Sequence, residues 1–292
     1  MNLLAYDFTI RALVAALVIG LTAPALGVYL VQRRMSLIGD GVGHVALTGV
    51  GVGLLFNQSP VLTAMLVAAV GAIAIELIRE RGRTAGDVAL ALLFYGGIAG
   101  GVVLVGLSGS SSRSLTSFLF GSLNTTSPQD FVVIVVLGLT LLAAMVLLRP
   151  ALFAICHDEE YARVAGLPVR ALNLLLAVTT AMTVTIAMRT VGLLLISAMM
   201  VVPVAAAQQV TRGFRSTMAM AMVLGLVAAG AGVWLAGQID TAPGATIVLL
   251  AIGMFLALAL GSALWRIVSR RVASRTARPA PDVKPPEVAL GR

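Results

Sequence analysis

Arg33-Arg34-Met35-Ser36-Leu37-Ile38-Gly39-Asp40-Gly41-Val42-Gly43-His44 breaks an apolar chain with two arginines, then carries a carboxylate and an imidazole into the next apolar run. Ionisable groups are costly inside a membrane and are candidates for function there. On a helix, Asp40 and His44 stand four residues apart, on one face and within mutual reach of one small cation. Gly41 and Gly43 between them are expected to leave that face uncovered.

In both directions from this stretch the chain is too apolar for a water-soluble domain. Of 292 residues, 59% are hydrophobic and 11% charged, with a mean hydropathy of +1.03. About 20 apolar residues cross a hydrocarbon core of roughly 30 Å. Such runs fall at about 12–31, 38–56, 60–78, 88–107, 130–148, 170–188, 191–210, 217–236 and 245–265. They predict an all-α polytopic membrane protein of about nine spans. Eight would require two runs to merge or one to be re-entrant. No small-residue cleavage pattern follows the first run, which is expected to be retained.

The net charge of +8 does not point to nucleic acid, because the basic residues lie between the runs and after the last one. If those breaks and the tail face the cytoplasm, only Arg11, Arg113 and Arg189 remain outside. Nine spans then leave the N-terminus outside and the C-terminus in the cytoplasm. Residues 1–265 form one transmembrane domain. Residues 266–292 are expected to be a disordered, basic, Pro-rich cytoplasmic tail resting on anionic headgroups of the bilayer.

Cys156 is the sole cysteine, so neither an intrachain disulfide nor a Cys-x-x-Cys site is possible. Lys284, in the tail, is the sole lysine, which removes a P-loop. Any nucleotide that drives this protein must sit on another subunit. The chain itself is expected to catalyse no bond chemistry and to hold no cofactor.

His157-Asp158-Glu159-Glu160-Tyr161-Ala162-Arg163-Val164-Ala165-Gly166-Leu167-Pro168 reads as a complete short helix. Asp158 can cap it, Glu159 and Glu160 suit the positive end of the dipole, and Arg163 suits the negative end. Gly166 can take the left-handed stop. On the local pattern alone, a rigid contact to a motor subunit and an ordinary connector are both open.

Within or beside the runs, Glu76 snorkels to the cytoplasmic interface, pairs with Arg79, or belongs to an exit path. Asp240, before Pro243-Gly244, is either a turn residue or an attractor of incoming cations. For Asp40 and His44 three readings stand: an internal ion pair, Asp40 as a helix cap, or a ligand pair for a cation.

Together, several segments resemble the membrane subunits of bacterial ABC importers for zinc, manganese or ferrous iron. They are Arg33-Arg34-Met35 with Gly39-Asp40 and His44; Gly86-Asp87-Val88-Ala89 with Leu93-Phe94 and Gly100-Gly101-Val102-Val103-Leu104; and Phe118-Leu119-Phe120-Gly121-Ser122. Residues 158–166, Arg189-Thr190-Val191-Gly192-Leu193-Leu194-Leu195, Pro203, Ala205-Ala206-Ala207, Asp240 and Pro243-Gly244 continue the match. The resemblance spans about residues 10–265. It implies a type II importer permease like those for vitamin B12 and siderophores. Such a permease works as a homodimer, with two cytoplasmic ATPase subunits and an extracytoplasmic metal-binding protein.

By the same resemblance, Asp40 and His44 contact the transported divalent metal, zinc foremost and manganese or iron next. Asp158, Glu159, Glu160, Ala162, Arg163 and Gly166 would form the coupling helix. Gly43 stands where the family usually has serine, and His157 where it often has phenylalanine. A proton-coupled secondary transporter and a non-transporting scaffold are the rival readings.

Overall fold

A computed structural model describes residues 7–80, 86–109, 112–121, 128–188 and 191–276. Among these the chain is helical: α1 (Asp7–Gln32), α2 (Ile38–Leu55), α3 (Pro60–Glu80), α4 (Gly86–Leu107), α5 (Ser112–Phe120), α6 (Pro128–Leu147), α7 (Arg149–His157), α8 (Glu159–Val164), α9 (Val169–Ala187), α10 (Leu193–Val210), α11 (Phe214–Ile239) and α12 (Pro243–Thr276). Lipid offers no partner for backbone N–H and C=O groups, so each spanning segment closes its own hydrogen bonds as a helix.

Every one of the nine predicted apolar runs is a helix. Among the described residues eight are long and apolar enough to cross a membrane, and the ninth, α10, has 18 residues, as many as α2. Gly192 precedes α10 with φ +93°, and its backbone lies against Phe120 and Gly121 at the end of α5.

α2 lies at the centre, packed on α3 and α4 and touching α9 and α10, while α1 packs on α6, α10 and α11, and α12 covers α10 and α11. The Gly49-x-x-x-Gly53 face of α2 meets α3 closely: a Cβ on Gly49 would stand 2.5 Å from Ala64 Cα.

The basic breaks converge at one end of the bundle. Arg33 pairs with Glu159, and Arg170 with Glu80. Phe214, just after Arg212, packs on Tyr29 and Phe153 with ring centroids 5.3 and 4.9 Å away. Arg212 and Trp265 line one cleft at this end.

α12 overruns the boundary expected at residue 266 and continues to Thr276. Residues 266–276 contain neither proline nor glycine, so nothing in them stops the helix. The rest of the expected tail, residues 277–292, lies outside the described residues.

Candidate functional site

The turn between α1 and α2 places Asp40 and His44. Arg34, at φ 57°, takes the left-handed position of a Schellman stop. Its N–H donates to Val31 O at 3.1 Å and the Met35 N–H to Leu30 O at 2.9 Å, and the Ile38 N–H then bonds Met35 O at 3.1 Å. With no slack in this turn, the first residues of α2 enter the bundle at a fixed angle.

His44 is 7% exposed. Its ring meets Phe94 of α4 edge-on, with centroids 4.4 Å apart. Gly97 of α4 permits this approach, since a Cβ there would stand 2.5 Å from the His44 carbonyl carbon. The Thr48 hydroxyl donates to Gly97 O at 2.8 Å and pins the two helices together. Asp40 lies one turn nearer the charged end and is half-buried.

The face between Asp40 and His44 is not left open, contrary to expectation. Leu90 fills the space beside Gly41, and Leu193 and Val184 fill that beside Gly43. These glycines instead let α4, α9 and α10 close on α2.

Two buried side-chain polar atoms among the described residues lack a hydrogen-bond partner: His44 Nδ1 and Ser197 Oγ. Leaving such a group unsatisfied costs about 1–3 kcal/mol. Ser197, on α10, was not singled out in the sequence. Its Oγ lies 3.0 Å from where a Cβ on Gly39 would stand, beside Met200 Sδ. The available signal was its place as the single hydroxyl in the run 191–207. No group of three or more His, Cys, Asp or Glu side chains comes together among the described residues.

Glu76 is 4% exposed and committed to Arg79, whose Nε and Nη2 donate to its two oxygens at 3.1 and 2.7 Å. That is the pairing reading of Glu76. Asp240 takes the left-handed stop of α11, at φ 51° and ψ 51°, with the Thr241 N–H donating to Ala236 O at 3.1 Å. That is the turn reading. Neither residue approaches Asp40 or His44 through any hydrogen bond or ion pair described.

α8 follows the predicted grammar. Asp158 Oδ1 accepts from the Tyr161 N–H at 2.9 Å. At the other end Gly166 has φ +81°, and the Leu167 N–H reaches back to Ala162 O at 3.0 Å. Ala162 is fully buried, while Tyr161 and Val164 are 68% and 88% exposed. A short helix thus presents an aromatic and an aliphatic side chain outward at the charged end. His157 ends α7, stacked on Phe153, rather than opening α8.

Beside α8 a cleft of about 700 Å³ is lined by Glu76, Glu80, Glu159, Arg163, Arg170 and Asn173 among others. Its carboxylates are answered by Arg79, Arg170, Arg33 and Arg163. Burial, and next the nearby Arg79 charge, lower the Arg33 pKa from its usual value, against Cys156, Glu76 and Glu159. Burial likewise pushes the Cys156 thiol up to about 11, with Arg33 pulling the other way.

Comparison with known proteins adds an independent finding. The model of the ABC 3 transport family matches residues 5–262. The manganese transport system membrane protein MntC of Halalkalibacterium halodurans is 30% identical over 87% of this chain and 87% of its own length. The high-affinity zinc uptake system membrane protein ZnuB of Haemophilus influenzae is 26% identical over 86% of this chain and 96% of its own. Among solved structures, PsaBC from Streptococcus pneumoniae, in complex with Fab, superposes with a TM-score of 0.80 at 28% identity, covering 88% of this chain and 92% of that one.

Proposed function

The chain belongs to the ABC 3 transport family and is a metal-type ABC permease, and on that footing we propose that it imports a divalent transition metal across the bacterial cytoplasmic membrane. Zinc is the foremost cargo, with manganese or ferrous iron next. The metal is handed across Asp40 and His44, and the work comes from ATP hydrolysed on partner subunits seated against α8.

The observation that carries this reading is the His44 imidazole: enclosed by helices, beside a carboxylate one turn away, with Nδ1 unpartnered. Asp and His supply oxygen and nitrogen, a set suited to zinc and acceptable to manganese or iron, with no thiolate to hold the ion too tightly for release. One chain brings only this pair together among its described residues. A second copy about a two-fold axis supplies two more ligands, which is why we read the permease as a homodimer. The relatives' names support metal as cargo and differ over which metal.

The convergence of the basic breaks on one end favours a cytoplasmic α8 by the positive-inside rule. With nine crossings the N-terminus lies outside and the C-terminus in the cytoplasm. An extracytoplasmic metal-binding protein delivers the cargo to the opposite end.

The test is metal uptake into proteoliposomes by the complex with its ATPase and binding protein. Asp40→Asn and His44→Gln each lower uptake at least tenfold, and competition among zinc, manganese and iron identifies the cargo. Wild-type uptake by both variants, correctly inserted, would refute the site.

A further inference from the structure

The Arg33-Arg34-Met35 segment has a structural role that metal contact leaves unused. The Arg33 side chain is only 6% exposed although it lies beyond the end of α1. Its Nη1 donates to Asn173 Oδ1 of α9 at 2.7 Å, and its Nη2 to Glu159 Oε2 of α8 at 3.2 Å. Glu159 Oε1 lies 3.7 Å from Arg163 Nη2, within α8 itself. Two residues after Arg33, Met35 Sδ accepts from Arg79 Nη1 at 3.3 Å, and Arg79 is in turn held by Glu76.

The Arg33–Glu159 pair joins α8 to the start of α2. From Glu159 the bonds run through the Arg33 guanidinium into the Schellman turn, then through Met35 O to the Ile38 N–H. Asp40 follows two residues later. The other anchor of α8, the buried methyl of Ala162, is apolar and sets no direction. A connector helix has no need of a guanidinium taken out of water, since the desolvation of a buried ion pair often cancels its attraction. Directed coupling between α8 and α2 is what such a pair supplies.

We propose that Arg33 is the positioning residue that locks α8 to the α1–α2 turn, so that displacement of α8 by the ATPase subunits moves Asp40 and His44. This rests on the reading of α8 as the ATPase contact. Without the lock, the stroke is spent in the joint between α8 and α9.

The experiment uses the whole complex, with ATPase and binding protein, in proteoliposomes, and reads metal transported per ATP hydrolysed. Arg33→Lys keeps the charge but loses the planar two-armed reach, and Glu159→Gln keeps the shape but loses the charge. Each lowers the ratio at least fivefold; in Arg33→Lys, which lies off α8, hydrolysis stays within twofold of wild type and the melting temperature is unchanged. The reciprocal exchange, Arg33→Glu with Glu159→Arg, regains at least half of the wild-type ratio, because the Asn173 amide can turn its nitrogen toward a carboxylate.

Wild-type ratios in both single variants overturn the lock and leave the transport function standing. Transport and hydrolysis that fall together with the melting temperature, without recovery in the exchange, reduce Arg33 to a brace and also overturn it. A wild-type complex that moves no metal defeats the transport function, and the lock falls with it.

Discussion

Replacing Asp158 with alanine tests whether α8 is held by its own cap or only by its surroundings. The helix has six residues, Glu159–Val164, far below the roughly 12–15 at which an isolated helix becomes even marginal in water. Asp158 supplies one side-chain bond, from its Oδ1 to the Tyr161 N–H at 2.9 Å, and a charge at the positive end of the dipole. Loss of an N-cap of this kind costs about 1 kcal/mol, and the exposure of this bond argues against the upper part of the range. That energy is about a fivefold shift in a local opening equilibrium. The amides of residues 160–166 in Asp158→Ala should therefore exchange with deuterium about five times faster, as read by mass spectrometry. Because the lost bond is exposed and lies within α8, leaving the Arg33–Glu159 pair in place, the melting temperature should stay within about 1 °C. Asp158→Asn keeps the acceptor and loses only the charge, so its exchange should rise less than twofold. Equal acceleration in both variants, or none in Asp158→Ala, refutes the cap as the source of order.

Two further outcomes follow from the charged end. Glu76 and Arg79 form a bidentate pair with side-chain exposures of 6% and 29%. Arg79→Met alone strands a buried carboxylate and should cost about 3 kcal/mol, the low end for a broken buried pair because Arg79 is partly wet. Glu76→Leu together with Arg79→Met should recover most of that, measured by thermal unfolding in detergent; a double variant no more stable than the single contradicts the pairing. Cys156 has its thiol raised from 9.0 to about 11, so alkylation by a maleimide should be slow at pH 7 and climb about tenfold per pH unit. Since the folded chain favours the neutral thiol, the associated stability is whole below about pH 9 and lost as pH rises toward about 11. Half-maximal labelling below pH 9 would refute that environment.

What the sequence made legible was what local physics encodes. Asp158, Gly166 and the charges between them lie within one short segment, so cap, dipole and left-handed stop could be read together. The nine runs could be read because hydropathy accumulates over about 20 residues. Pairings across the chain could not: Arg33 and Glu159 are 126 residues apart, and nothing in either neighbourhood names the other. The fate of Gly41 and Gly43 was equally hidden, since a glycine announces room without saying whether ligand or neighbouring helix takes it. Ser197 is a lone hydroxyl in its run, but nothing in either neighbourhood places it against Gly39. The end of α12 was not legible either, because a basic composition favours a solvated tail while the same stretch holds no helix breaker.

The spans also sort in a way that bears on the site. Of the eight candidate spans α2 is the least apolar, yet it shares with α1 the greatest enclosure, while the strongly apolar α4, α6 and α12 are the most exposed. In a bilayer the outer helices must satisfy lipid, and only the inner ones can carry polar groups. α9, the next least apolar, uses that freedom: Thr179, Thr180, Thr183 and Thr185 are buried there. Each of their hydroxyls donates to a carbonyl of its own helix, at 2.7–3.0 Å. This interior therefore satisfies its polar groups where burial is all that is asked of them. His44 Nδ1 and Ser197 Oγ break that habit, one on α2 and one against it. The contrast between four paired threonines on α9 and these two unpaired atoms, with the Asp40 carboxylate one turn from His44, is what supports the proposal of a cation pathway along α2.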